Sequence, residues 1–268
     1  MKFGCSSLLY GGYDLDTALA GIQAAGYEAI ELCSIPGLGE HFKPGQPVEI
    51  YQAIREKLQA AGLALESVGC SGALGTDRFE PLVTAAAALG APYMTLGSGG
   101  VSDDEDAWEQ MLATVRAAIP VAESNGIKLS FKPHVRAAVY NAETAARFME
   151  QLQSPWVGLN LDNTHLARSG DDPIMAVQKL RNHIFTARIR DYRSDDLSIG
   201  LIENQIPGKG TSDVRGYLQA LATVPGLDTV VLEMGGTDYS GTGLQNLDAR
   251  ELQRVVGEAL VALQSYQQ

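Results

Sequence analysis

The sequence predicts an α/β fold, a single (β/α)8 TIM barrel, on three observations. Short apolar runs of strand character alternate with longer runs of helical periodicity, and eight such pairs can be counted along the chain. Helical runs end in a glycine, and an apolar strand starts within about three residues, as in "AAGYEAIEL", "AAGLALESV", "ALGAPYMTL" and "SNGIKLSF". The chain has 268 residues, close to the ~250 that such a barrel typically takes. No linker, low-complexity tract or charge block divides it, so one domain over 1–268 is expected. The competing open, doubly wound sheet carries GxGxxG after its first strand. That motif is missing, and "LGSGGVS" after the fourth strand is weak evidence for phosphate binding.

The units run in order. "KFGCSSLL" precedes "DLDTALAGIQAAG", with Asp14 as N-cap and Gly26 as terminator. "EAIELCSI" precedes "VEIYQAIREKLQAAG", "LALESVGC" precedes "DRFEPLVTAAAALG", and "PYMTLGSG" precedes "DEDAWEQMLATVRAAIPVAESNG". "IKLSFKPH" leads into "NAETAARFMEQLQ", and "VGLNLDNTH" into "DDPIMAVQKLRN". "HIFTARIRDY" is followed by a loop and "DVRGYLQALATV", and "DTVVLEMGG" by "DARELQRVVGEALVALQSYQ".

Composition bounds the partners. Hydrophobic residues make up 45% and the net charge is -12. An acidic surface repels phosphate backbones, so nucleic acid is not an expected partner. No apolar run approaches the ~20 residues of a membrane span, and "CSSLLYGG" is too short for a signal peptide core, so a cytoplasmic location without membrane contact is expected. Cys5, Cys33 and Cys70 form no CxxC pair and fall in strand-like runs; buried, inert thiols are expected.

Barrels of this kind carry their chemistry at the C-terminal ends of the strands. Polar residues at those ends include Glu31, Ser71, Ser98, Lys132, His134, Asp162, His165, Arg188, Arg190, Asp191 and Glu233. The informative ones follow strands five to eight. Asp162 and His165 in "GLNLDNTH" could hold a metal, or orient a hydroxyl and shuttle a proton; equally, Asp162 could cap the next helix. Glu233 ends a run of β-type residues, where a lone carboxylate is costly unless paired. His41 reads as a loop histidine, and His183 starts the seventh strand at the far end of the barrel. Lys209 in "PGKGTSD" stands before a helix and could contact a phosphate there.

With these motifs the chain resembles the sugar phosphate isomerase/epimerase family, with its xylose isomerase-like barrel. The resemblance runs through "GYEAIEL", "GIKLSFKPH", "GLNLDNTH", "ARIRDY", "PGKG" and "VVLEM". It implies a carbohydrate substrate, often a homo-oligomer, and a divalent metal held by Glu, Asp, His and Glu from strands five to eight. Asp162 and Glu233 match two of those ligands, and His165 matches a histidine that contacts substrate oxygen. His134 matches a polar position past the strand-five ligand.

Two positions depart. Lys132 stands where the family has glutamate, and Arg188 where it has histidine. Neither cation is a metal ligand. Exchanging a carboxylate and a neutral imidazole for two cations adds about the charge of the missing ion. The expectation is that Lys132 and Arg188 take the metal's electrostatic place, balance Asp162 and Glu233 and polarise a carbonyl, with no cofactor at the usual site. A metal (Mn, Mg or Zn) on His134, Asp162, His165 and Glu233 stays open. Lys132, Asp162, His165 and Glu233 are the expected catalytic set, and His134, Arg188 and Lys209 the expected substrate contacts. The implied activity is isomerisation or epimerisation through proton transfer beside a carbonyl. A dehydratase or lyase on the same enolate, and a barrel that binds a sugar or sugar acid without turnover, stay open beside it.

Overall fold

The computed structural model describes residues 1–193, 200–235 and 247–267. The elements run β1 (Lys2–Ser6), a 3-10 turn (Ser7–Tyr10), α1 (Leu15–Ala25), β2 (Ala29–Ile35), β3 (Gly39–Glu40), α2 (Val48–Ala60), β4 (Ala64–Gly69) and α3 (Phe79–Leu89). Next come β5 (Tyr93–Gly97), α4 (Glu105–Ser124), β6 (Lys128–Lys132), α5 (Ala142–Leu152), β7 (Val157–Asp162), α6 (Asn163–Arg168) and α7 (Pro173–Leu180). The chain then forms β8 (Ile184–Ile189), α8 (Ile202–Gln205), α9 (Val214–Leu221), β9 (Thr229–Leu232) and α10 (Ala249–Ser265).

Eight of the strands pair in parallel in the order β1-β9-β8-β7-β6-β5-β4-β2, and β1 pairs with β2 to close the barrel. β3 only extends β2 by an antiparallel bridge. Helices pack outside, so the strands are buried on both faces and read as continuous apolar runs rather than alternations. β7, "VGLNLD", is buried at every position. Gly158 in that strand admits no side chain: a Cβ there would lie 2.4 Å from the Phe185 ring. Between strand and helix, Phe131 of β6 meets Phe148 of α5 edge to face at 5.2 Å.

The start and stop signals hold. The Asp14 side chain accepts from the Thr17 N–H at 2.9 Å, and Gly26 closes α1 at φ 95°. The first strand is shorter than its apolar run. Ser6 Oγ accepts from the Leu8 N–H at 3.3 Å and turns the chain into the 3-10 turn. The seventh barrel strand stops at Ile189, short of Tyr192. Asp191, just beyond, gathers the following loop by accepting from Tyr192, Gly208, Gly210 and Ser212. Cys5, Cys33 and Cys70 are free and buried. Among the described residues no helix is long and apolar enough to cross a membrane.

Candidate active site

The strand ends converge on a cavity of about 200 Å³ at the C-terminal mouth. Its floor carries Glu31, Thr95, Lys132, Asn160, His165 and Glu233, and its wall carries Leu8, Ile35 and Leu38. Lys132 is the last residue of β6, and its ammonium lies between two carboxylates. It donates to Glu233 Oε1 at 2.5 Å and to Asp162 Oδ2 at 3.4 Å. Burial alone lowers the affinity of Lys132 for its proton, but Glu233 and then Asp162 outweigh that and hold its pKa above the ordinary value. Both carboxylates thus favour the protonated form of the Lys132 amine.

Asp162 caps the next helix, the structural role its position allowed, and keeps one oxygen turned to Lys132. Its Oδ1 accepts from the Thr164 and His165 N–H groups and so caps α6, while Oδ2 faces Lys132. Burial opposes its charge, yet Arg190 at 3.8 Å and Lys132, with the His165 backbone N–H, hold its carboxyl far below the usual carboxylate range. His165 sits with Nε2 4.0 Å from Asp162 Oδ2. Burial outweighs that carboxylate, so the imidazole stays neutral well below its ordinary pKa. His134, exposed at the rim, stacks on His165 with ring centroids 3.9 Å apart.

Arg188 departs from the expectation. It lies beside Asp162 in the β7–β8 register, but its side chain runs into the barrel interior and is wholly buried. Its guanidinium reaches Glu31 at 2.6 Å, Ser67 at 3.0 Å and Glu66 at 3.3 Å, and approaches Glu233 Oε2 at 3.4 Å. Of the two cations expected to balance Asp162 and Glu233, Lys132 meets both, whereas Arg188 approaches Glu233 but chiefly serves Glu31 and Glu66. Its complete burial removes it from the expected substrate contacts, and Arg190 stands near Asp162. Glu31 also accepts from Ser6 Oγ and Thr95 Oγ1, each at 2.7 Å. Burial raises the Glu31 carboxyl, yet Arg188 and then Lys132 pull it down to about 2. At Glu66 burial prevails over Arg188 and the carboxyl is raised.

Lys209 is not at the mouth. Its ammonium is held on the surface by Glu203 at 2.5 Å and Glu258 at 2.6 Å. His41 Nε2 donates to the Tyr10 carbonyl at 3.2 Å, away from the site. Asp238 and Tyr239, past Glu233, lie outside the described residues.

The structure brings Lys132, Asp162, His165 and Glu233 together, with His134 at the rim. Sequence reasoning passed over Glu66, Asn160 and the importance of Glu31. Their signal was the same as that of Lys132: a polar residue inside an apolar strand run, in "AIELCSI", "LALESVGC" and "GLNLD".

A divalent metal does not fit this arrangement. The Lys132 ammonium occupies the space between Asp162 and Glu233. The two histidines stack on each other rather than converge on a point. Among the described residues no group of three or more His, Cys, Asp or Glu is placed to hold a metal ion.

The architecture is a (β/α)8 barrel with a cluster of charged residues at its strand ends. The chain belongs to the xylose isomerase-like TIM barrel family, the sugar phosphate isomerase/epimerase group, whose model matches residues 19–255. Among curated proteins it is similar to the inosose dehydratase of Clostridium beijerinckii, 25% identical over 123 residues, which is 46% of this chain and 39% of that protein. It is similar to the inosose dehydratase of Salmonella typhimurium, 26% identical over 145 residues, 52% of this chain and 46% of that protein. The matched stretch thus spans under half the length of these relatives.

Among solved structures the fold is similar to that of the IolI protein with a bound zinc atom, at TM-score 0.78, 19% identity and 99% coverage of each chain. It is also similar to D-psicose 3-epimerase of Clostridium cellulolyticum H10 with D-tagatose, at TM-score 0.77, 16% identity and 99% coverage of each chain. At those identities the likeness is one of fold.

Proposed function

We propose that the protein is an enzyme acting on a sugar, keto sugar or related polyhydroxylated ketone by proton transfer next to the carbonyl, without a metal between Asp162 and Glu233. The observation that carries this reading is the Lys132 ammonium, 2.5 Å from Glu233 and 3.4 Å from Asp162 on the cavity floor. A substrate carbonyl oxygen directed at Lys132 meets a fixed positive charge in a water-poor site. Glu233 takes the proton from the adjacent carbon, the C–H electrons pass into the carbonyl, and Lys132 stabilises the enediolate oxygen. Neutral His165 is placed to exchange a proton with a substrate oxygen. Return of the proton to carbon completes isomerisation or epimerisation. Expulsion of the hydroxyl on the carbon beyond the deprotonated one completes a dehydration instead. It leaves as water with the proton that Glu233 took up, while the enediolate electrons form the new C=C bond. The similar proteins include inosose dehydratases and a D-psicose 3-epimerase, so both outcomes belong to the proposal.

One observation favours a second reading, a barrel that binds such a ligand without turning it over. Both Glu233 oxygens face cations, Oε1 at Lys132 and Oε2 at Arg188. The two readings separate by NMR in D2O with an inosose and with D-tagatose, in the presence of a chelator. The expected result is deuterium at the carbon next to the carbonyl, slowed about 100-fold or more in Glu233→Gln. Binding without exchange supports the second reading, and exchange that appears only with added divalent metal sinks the metal-free one.

A further inference from the structure

β7 sets Asn160 two residues before Asp162, so both side chains leave the same face of the strand. Asn160 is 1% exposed and borders the same cavity as Lys132, His165 and Glu233. Neither its amide nitrogen nor its amide oxygen has a hydrogen-bond partner among the described protein residues. A carboxamide brings two donors and an acceptor with two lone pairs, and leaving both ends unpaired in an interior is destabilising.

The neighbouring strands make the contrast plain. Thr186, the register partner of Asn160 on β8, shares a hydrogen bond with Ser130 of β6 at 2.9 Å. Glu31, across the barrel, has Ser6, Thr95 and Arg188. Leucine has the same branched, four-atom side-chain skeleton as asparagine, with bulkier methyl ends, and leaves no polar atom unpaired. A buried polar group without a partner calls for a specific explanation, and one aimed into a cavity finds it in a ligand.

We propose that Asn160 is a substrate-binding residue, whose amide N–H donates to one oxygen of the ligand while its amide oxygen accepts from a neighbouring hydroxyl. A hydroxyl beside a carbonyl, or a vicinal diol, presents that pair. The nearby Glu31 and Glu233 carboxylates select a neutral ligand at this point over an anionic one. The chemical class of ligand rests on the proposed function; the claim that the amide is reserved for a ligand does not.

The test uses the full chain as wild type, Asn160→Leu and Asn160→Ala, with thermal midpoints taken in the absence of ligand and affinities for an inosose and for D-tagatose by calorimetry. Asn160→Leu is expected to melt at or above wild type, by up to about 4 °C. Both variants are expected to bind at least about tenfold more weakly. Alanine cannot overpack the site, so a folded Asn160→Ala that binds within twofold of wild type overturns the proposal. If wild type binds neither probe, the ligand class fails and the melting arm decides alone. A leucine or alanine variant that melts at or above wild type then upholds the reserved amide, and both melting below wild type overturns it.

Discussion

Lys132 and Lys209 each hold two carboxylates. Lys132 has Glu233 and Asp162 at 2.5 and 3.4 Å, and Lys209 has Glu203 and Glu258 at 2.5 and 2.6 Å. By distance the surface lysine is the better paired. Their surroundings differ: the Lys132 side chain is 12% exposed and that of Lys209 37%. Water and salt screen the second cluster, so its pairs contribute little. Around Lys132, Glu31, Glu66, Asp162 and Glu233 meet Lys132, Arg188 and Arg190 in the interior, where removing one partner leaves an uncompensated charge. Contact distance alone does not tell a site from a surface decoration; desolvation does.

The sharpest break in that comparison comes at Arg188. Arg188→Met strands Glu31 and Glu66 without their cation and is expected to destabilise the chain by about 3–5 kcal/mol in denaturant unfolding. A loss below about 1 kcal/mol would mean that the two acids take up protons and need no cation.

The next effect appears with pH. The Glu31 carboxyl is raised by burial but brought down to about 2 by Arg188 and Lys132, from an ordinary 4.5. Between those values the unfolded chain binds more protons than the folded one. The stability that Glu31 contributes is complete above the unfolded value and is lost as pH falls through about 2. Glu66, raised by burial, runs the other way, because its protonation favours the folded chain. Thermal midpoints are expected to fall as pH is lowered through this window, and more gently in Glu31→Gln. Identical slopes would contradict the assignment.

The smallest effect is expected at the surface. Lys209→Met costs less than about 1 kcal/mol, and the difference fades in about 1 M salt. A larger, salt-resistant loss would give the surface cluster the character claimed here for the interior alone.

The barrel was legible in the sequence because its signals are local. Caps such as Asp14, helix-ending glycines such as Gly26 and apolar runs such as "VGLNLD" each act within a few residues. Lys132, Asp162, His165 and Glu233 were legible because each ends or follows a strand, and closure of the barrel brings strand ends together. The pairing of Lys132 with Asp162 and Glu233 was legible too, but the partners of Arg188 were not. Adjacent register places Arg188 beside Asp162, yet a long side chain chooses among all the acids it can reach across the barrel, and Arg188 takes Glu31 and Glu66. Nor could the sequence show that Lys209 faces α10, because Glu258 is remote in the chain.

The central claim is that the Lys132 ammonium stands in the place of a divalent ion. The most direct test is elemental analysis of wild type and Lys132→Glu after equilibration with manganese and removal of free metal. The expected result is no stoichiometric ion in wild type and one per chain in Lys132→Glu, where a third carboxylate joins Asp162 and Glu233. One tightly held ion per wild-type chain, lost on Asp162→Asn or Glu233→Gln, would contradict the account.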